Sequence, residues 1–147
     1  MARRGTRFEK VRFHVQTGPD TLFDRVRFKM AGRRELRWHA AHLRERAAQR
    51  EAPLEALSAF DAAQWELLTA EVRVDTGKFV NSTWGVSVAG ERWLVVIGLG
   101  DTVETVIQTD KRGLGEQVVR DGPLYDRVAQ VNAALMAAEP LERSEPV

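Results

Sequence analysis

Residues 79–97, FVNSTWGVSVAGERWLVVI, decide the fold. Val80, Ser82, Trp84, Val86 and Val88 fall on one parity, so the run repeats with a period of two, as a strand does. Ala89-Gly90-Glu91 is a tight hairpin turn. Trp93 to Ile97 is continuously apolar, the pattern of a central strand buried on both faces. Working outward, Leu67 to Val74 reads as the preceding strand, with Val72 and Val74 alternating against Arg73, and Asp75-Thr76-Gly77-Lys78 as its turn. Gly98-Leu99-Gly100-Asp101 turns the chain again, and Val103 to Thr109 forms the next strand. Turn signals recur at roughly 8–12-residue spacing, which predicts a four-stranded antiparallel meander. Gly98-Leu99-Gly100 lacks the third glycine and the following helix of a dinucleotide loop, so it is read as hairpin chemistry.

Upstream of the meander, Trp38 to Arg50 (WHAAHLRERAAQR) has helical spacing. Ala31-Gly32-Arg33-Arg34 turns the chain into this helix. Ala52-Pro53 ends it, because the residue before proline is driven out of the helical region. Pro53 then opens a short second helix with Leu54, Ala56 and Leu57 on its apolar face. Nearer the start, Val11, Phe13 and Val15 alternate with Arg12, His14 and Gln16. After the turn at Gln16-Thr17-Gly18-Pro19-Asp20, Val26, Phe28 and Met30 alternate with Arg25, Arg27 and Lys29. This predicts a basic β-hairpin with His14 on its solvated side. Leu124, Val128, Val131 and Leu135 recur at helical spacing and predict a last helix from about Pro123 to Ala138, packed on the sheet or over its edge. The expected architecture is α+β: an N-terminal β-hairpin and two helices, then the four-stranded antiparallel meander, then a C-terminal helix. Residues 1–138 read as one domain and 139–147 as a flexible tail.

With 147 residues the chain can bury a sizeable core without staples. It has no cysteine, which removes disulfides and Cys-ligated metal. Its three histidines show no metal-ligand spacing, so neither a metal nor another cofactor is expected. No apolar run approaches a membrane span. MARRGTRFEK lacks the apolar run of a secretory signal, and a cytoplasmic location is the expectation. The net charge of +1 conceals a division. Residues 1–50 carry 14 Lys and Arg against 5 Asp and Glu, whereas residues 51–147 carry 8 against 16. The first third therefore projects a positive field if its cations share a face, and phosphates are the natural partner. Mutual neutralisation of the two parts is the competing expectation.

On a helical wheel His39, His42, Arg46 and Arg50 lie within a sector roughly 80° wide, beside the apolar Ala40, Leu43 and Ala47. Imidazole moves protons near neutral pH, and guanidinium grips phosphate oxygens bidentately. A solvated basic face has the same composition. Trp65, Trp84 and Trp93 are expected in the core, Trp38 beside His39 is the one tryptophan placed to stack on a base, and Tyr125 is expected to pack.

The segment His42-Leu43-Arg44-Glu45-Arg46-Ala47-Ala48-Gln49-Arg50, followed by Glu51-Ala52-Pro53-Leu54-Glu55-Ala56-Leu57, resembles a small bacterial domain family of unknown function. That family has a His–x3–Arg–x3–Arg helix, a second amphipathic helix and a curved sheet. It is related to the RelE/ParE and BrnT toxins, in the wider group of small metal-independent ribonucleases that includes barnase and colicin nucleases. The likeness covers about residues 36 to 111. The N-terminal hairpin and the C-terminal helix depart from the family pattern, and many ParE relatives inhibit gyrase rather than cut RNA. The resemblance implies a ribonuclease-like fold, RNA cleavage by 2′-hydroxyl attack, an RNA substrate such as tRNA or ribosome-associated mRNA, and a cognate acidic antitoxin or immunity protein. His42, Arg46 and Arg50 match the family's histidine and two arginines. Gln108 and Thr109 occupy the polar end of the last strand.

Such cleavage needs a base, an acid and cations for the developing phosphorane charge. His42 is expected to transfer the proton and Arg46 to stabilise the charge. Lys78 supplies a second cation, Arg50 and His39 bind flanking phosphates, and Thr109 or Gln108 orients a phosphate oxygen. The alternative is a non-catalytic module for nucleic acid. It uses Arg12, Arg25, Arg27 and Lys29 of the hairpin with Arg33, Arg34 and Arg37, marked by steep salt dependence without turnover. A purely protein-directed role is the third reading.

Overall fold

The computed structural model describes residues 8–108 and 118–139. Five antiparallel strands form one sheet: β1 (Lys10–His14), β2 (Glu66–Arg73), β3 (Phe79–Val88), β4 (Glu91–Gly98) and β5 (Val103–Gln108), in that spatial order. Among the described residues four α-helices complete the α+β architecture, α1 (Asp20–Met30), α2 (Ala41–Gln49), α3 (Leu54–Ser58) and α4 (Pro123–Ala138), with a short 3-10 turn at Leu99–Asp101. The meander from β2 to β5 stands where the alternation placed it. In the β3–β4 hairpin, Val88 pairs with Glu91 across Ala89 and Gly90, whose φ angles of 52° and 85° are both positive. That is the signature of a type I′ turn, whose twist matches the strands. Trp93, Leu94, Val95 and Ile97 of β4 are all buried.

Two parts of the N-terminal expectation are corrected. The sheet has a fifth strand, because β1 pairs with β2, Val11 opposite Val72 and Phe13 opposite Ala70. The segment expected to pair with β1 in a hairpin is instead the helix α1. Val26, Phe28 and Met30 also satisfy a period of two, but the buried apolar set is Leu22, Phe23, Val26 and Met30, a helical face. Asp20 in the first turn and Arg27 and Lys29 in the last suit the helix dipole.

The His/Arg helix starts at Ala41, later than expected. Residues 34–37 are extended instead: Leu36 donates to the Ser58 carbonyl at 2.9 Å, Phe60 donates to the Arg34 carbonyl at 2.9 Å, and Arg37 bridges Thr102. The end of α2 is a Schellman motif. Glu51 N–H reaches the Ala48 carbonyl at 3.0 Å, Ala52 N–H reaches the Ala47 carbonyl at 2.8 Å, and Glu51 takes a φ of 56°.

The core lies between one sheet face and the helices. Phe13, Ala70, Ser82, Ile97 and Val103 form one cross-strand row of that face, and Leu67, Trp84, Val95 and Val106 another. Phe60, just past α3, meets Trp65 edge-on at 5.1 Å and Trp84 at 4.9 Å. α4 spans the expected residues and packs beside α1. Thr21 Oγ1 donates to the Ala129 carbonyl at 3.3 Å, and Tyr125 packs edge-on against Phe13. No helix of the described residues is long and apolar enough to cross a membrane. The expected tail from 140 onward lies outside the described residues.

Glu51 and Ala89 hold left-handed backbone that costs an L side chain roughly 1–2 kcal/mol. Glu51→Gly and Ala89→Asn are each expected to stabilise the fold by about 0.5–1 kcal/mol, since glycine and asparagine occupy this region readily. For a chain of this size that is about 1–4 °C in thermal midpoint. An unchanged or lowered midpoint in both variants contradicts the assignment of these two turns.

Candidate functional site

The α2 ridge faces β5. Leu43 and Ala47 are buried and seat the helix on the sheet, which turns the neighbouring helical positions toward the sheet margin. Arg46 and Arg50 line a cleft of about 100 Å³ together with Trp93, Thr105 and Val106. The helical spacing of the two arginines therefore places them as expected, one turn apart beside a strand. His42 lies one turn before Arg46 in the α2 backbone; its side chain lies outside what is described.

The other expected residues do not converge on this cleft. Lys78, at the β2–β3 turn, lines a separate cavity of about 400 Å³ with Arg25 and Arg33, and the two hollows have no lining residue in common. Arg33 is held there by Asp101, with both carboxylate oxygens at 3.0–3.1 Å. Gln108 donates to Glu91 Oε1 at 2.6 Å, which ties it to the start of β4. Thr109 lies outside the described residues. His39 is exposed and precedes the helix rather than sitting on its ridge. Arg27 is 3.6 Å from Asp24 on the exposed side of α1. Arg34 donates to the Ala31 and Arg33 carbonyls, and Arg37 is exposed beside Thr102. The Trp38 indole N–H donates to Ser58 Oγ at 2.7 Å, so the ring expected to stack on a base braces α3. Trp65, Trp84 and Trp93 are core residues.

Sequence reading missed the polar face of the sheet turned away from this core. Glu71 accepts from Arg12 Nη2 at 2.8 Å and Asn81 Nδ2 at 2.9 Å, with Lys10 Nζ at 3.4 Å. Burial pushes the Glu71 carboxyl up, but the Asn81 hydrogen bond and the Arg12 and Lys10 charges outweigh it and hold the group below the usual range. Glu104 is the extra residue of a β-bulge, since Val96 pairs with Thr105 and Ile97 with Val103. It edges the α2–β5 cleft, and its carboxyl leans over Gly98, where a β-carbon would collide with it. Burial raises the pKa of Glu104; the Lys10 charge opposes this, and Glu71 adds to it. His14, expected to be solvated, is half-buried. Burial, then Arg120 and Arg12, hold its pKa down and favour the neutral ring. The alternation of β1 marked this face as polar; that the curved sheet shelters Thr69, Thr83 and Asn81 depends on pairings distant in sequence.

No protein-family model matches the chain, and neither a curated protein nor a solved structure matches it.

The ordering of these carboxyls can be read out by pH. Glu71 contributes stability above its unfolded pKa, and that contribution is lost as the pH falls through its lowered native pKa. Glu71→Gln therefore lowers the thermal midpoint near pH 7, and the deficit closes on acidification. Glu104 has the opposite sign. Its raised native pKa favours folding while it is protonated, and the benefit is lost as the pH rises through that pKa. Glu104→Gln raises the midpoint near pH 7, and the gain fades below the ordinary glutamate range of about 4.3. A Glu71→Gln deficit that persists unchanged down to about pH 2, or a Glu104→Gln gain that stays constant from pH 8 to below the ordinary glutamate range of about 4.3, would contradict the corresponding assignment.

Proposed function

We propose that the chain binds RNA, gripping backbone phosphates along the segment that leads into α2 and in the α2–β5 cleft. One observation carries the reading. Five arginines from Arg34 to Arg50, at positions 34, 37, 44, 46 and 50, have no carboxylate oxygen within 4.0 Å among the described residues. Elsewhere the two oppositely charged parts of the chain do meet, at Glu71 with Arg12 and Lys10, at Glu139 with Lys29 and at Asp101 with Arg33. Among the described residues, neutralisation across the fold thus leaves this run of arginines without a carboxylate partner. The bridge at Arg37 and Thr102 carries the run along the start of β5, and Arg46 and Arg50 continue it at the cleft. Guanidinium groups so placed suit a chain of phosphodiesters. A cytoplasmic site of action goes with this reading.

Cleavage by 2′-hydroxyl attack is the second reading. It is favoured by the position of His42 one turn before Arg46, which puts an imidazole and a phosphate-binding cation on the same helix. An acidic antitoxin or immunity protein covering this basic run belongs to that reading.

Fluorescence anisotropy with a labelled single-stranded RNA tests the proposal. Five phosphate contacts give a slope of log K against log salt of roughly −3.5, from about −0.7 per contact on a single strand. The double variant Arg46→Glu/Arg50→Glu is expected to bind at least about tenfold more weakly, with a slope shallower by more than about 1. Wild-type affinity in that variant, with its fold intact by circular dichroism, overturns the proposal. Gel analysis of the same RNA separates the readings, because products that disappear in His42→Ala mark cleavage.

A further inference from the structure

The larger cavity lies between α1 and the β2–β3 and β4–β5 turns, apart from the α2–β5 cleft. We infer that it is a binding site for a nucleoside monophosphate, with the phosphate between Arg25 and Lys78 and the base against the apolar wall. Arg25 is the decisive residue. It is 3% exposed, and its named hydrogen bonds go to neutral acceptors: Nε to Asn132 Oδ1 at 2.7 Å and Nη2 to the Gly77 carbonyl at 3.1 Å. Its guanidinium carbon lies 5.1 Å from the centre of the Phe79 ring. Nη1 is left without a protein partner among the described residues, on a side chain that lines the cavity. Its nearest charge partner, Glu139, lies beyond 4.0 Å and is itself paired with Lys29; a buried cation without a direct ion pair is costly, and such groups are normally paired.

The charges around the cavity specify the ligand. Arg33 is paired with Asp101, Arg73 with Asp75 and Lys29 with Glu139. Arg25 and Lys78 alone among the cations lining the cavity have no carboxylate within 4.0 Å among the described residues. Two positive charges without a direct carboxylate partner match one phosphomonoester, which carries about −1.5 to −2 at neutral pH. Rings and aliphatic groups supply the rest of the wall: Met30, Phe79, Val80 and Leu99, the last 66% exposed at the mouth. A volume of about 400 Å³ is of the size that small-ligand sites have. The site is preorganised, because Asn132 Nδ2 also donates to the Gly77 carbonyl at 2.9 Å and to the Val128 carbonyl at 2.9 Å. The guanidinium is therefore fixed before any ligand arrives.

Isothermal titration calorimetry with adenosine, guanosine, cytidine and uridine monophosphates tests the inference on the full chain. At least one is expected to bind with a Kd below 1 mM, at least tenfold tighter than its nucleoside and than inorganic phosphate. Lys78→Glu, an exposed turn substitution, is expected to weaken binding at least tenfold. Arg46→Glu/Arg50→Glu is expected to leave it unchanged, which keeps this site distinct from the RNA cleft, so either may fail alone. Absence of binding by all four monophosphates overturns the inference, as does equal binding of nucleoside and nucleotide, insensitivity to Lys78→Glu, or tighter binding of a fatty-acid anion than of any nucleotide. Arg25→Gln, checked for folding by circular dichroism, serves as the second variant: retained nucleotide affinity in a folded protein also overturns the assignment.

Discussion

The two-residue turn at Ala89 and Gly90 sets the register of β3 against β4, Val88 opposite Glu91 and Asn81 opposite Gly98. In a sheet with one apolar face, a slip of one residue would exchange every inward side chain with an outward one. Ser82, Trp84, Trp93, Val95 and Ile97 would leave the core, and Asn81 and Thr83 would enter it. Both hollows depend on the same register. The far end of the hairpin presents Phe79, Val80 and Gly98 to the larger cavity, and Trp93 in β4 forms the floor of the α2–β5 cleft. The aromatic contacts of Phe60 with Trp65 and Trp84 then anchor the segment after α3 to this hairpin.

A second, polar constraint acts on the helical layer. Arg25 of α1, Asn132 of α4 and the carbonyl of Gly77 in the β2–β3 turn form one hydrogen-bonded group between two helices and the sheet. Gly77 has a φ of +73°, and a β-carbon there would strike Val131, so the close approach of α4 to this turn requires glycine. Hydrophobic packing alone would let α4 slide along α1, because apolar contacts are not directional. Three directional bonds to a single carbonyl and a single amide fix its position. They do so with a cation where a neutral donor would have sufficed for the architecture, and this excess charge is what distinguishes the larger cavity from an ordinary surface hollow.

The legible parts of the fold are those carried by local periodicity. β2 to β5, α3, α4 and the end of α2 before Pro53 all follow from residues within a few positions of one another. α1 was obscured because Val26, Phe28 and Met30 fit two periods at once, and the deciding members, Leu22 and Phe23, lie outside that triplet. β1 was legible as a strand but not as the neighbour of β2, since Phe13 and Ala70 are brought together only by the intervening helices. The site divides in the same way. That Arg46 and Arg50 lie one turn apart on α2 beside β5 follows from helical spacing, a local property. That Lys78 belongs to a different hollow, and that Arg25 is buried rather than solvated, depends on α4, more than a hundred residues beyond α1 in the chain.

The uneven division of charge along the chain has a structural resolution that its net value conceals. Among the described residues, acidic residues of the later part reach back to the first 33 residues at three places: Glu71 takes Lys10 and Arg12, Asp101 takes Arg33, and Glu139 takes Lys29. Glu71 lies on the strand paired with its donors' strand, and Glu139 follows the helix packed on its donor's helix, so in both cases neutralisation follows topology. The segment from Arg34 to Arg50 runs along the outer side of β5, at the sheet edge opposite β1. Among the described residues no carboxylate oxygen lies within 4.0 Å of its arginines. Solvent and mobile ions screen those arginines, and a screened cation at an edge exchanges its counter-ions for phosphate at little cost. The same edge therefore keeps its arginines without direct carboxylate partners in a chain that is almost neutral overall, and the RNA-binding proposal rests on that arrangement.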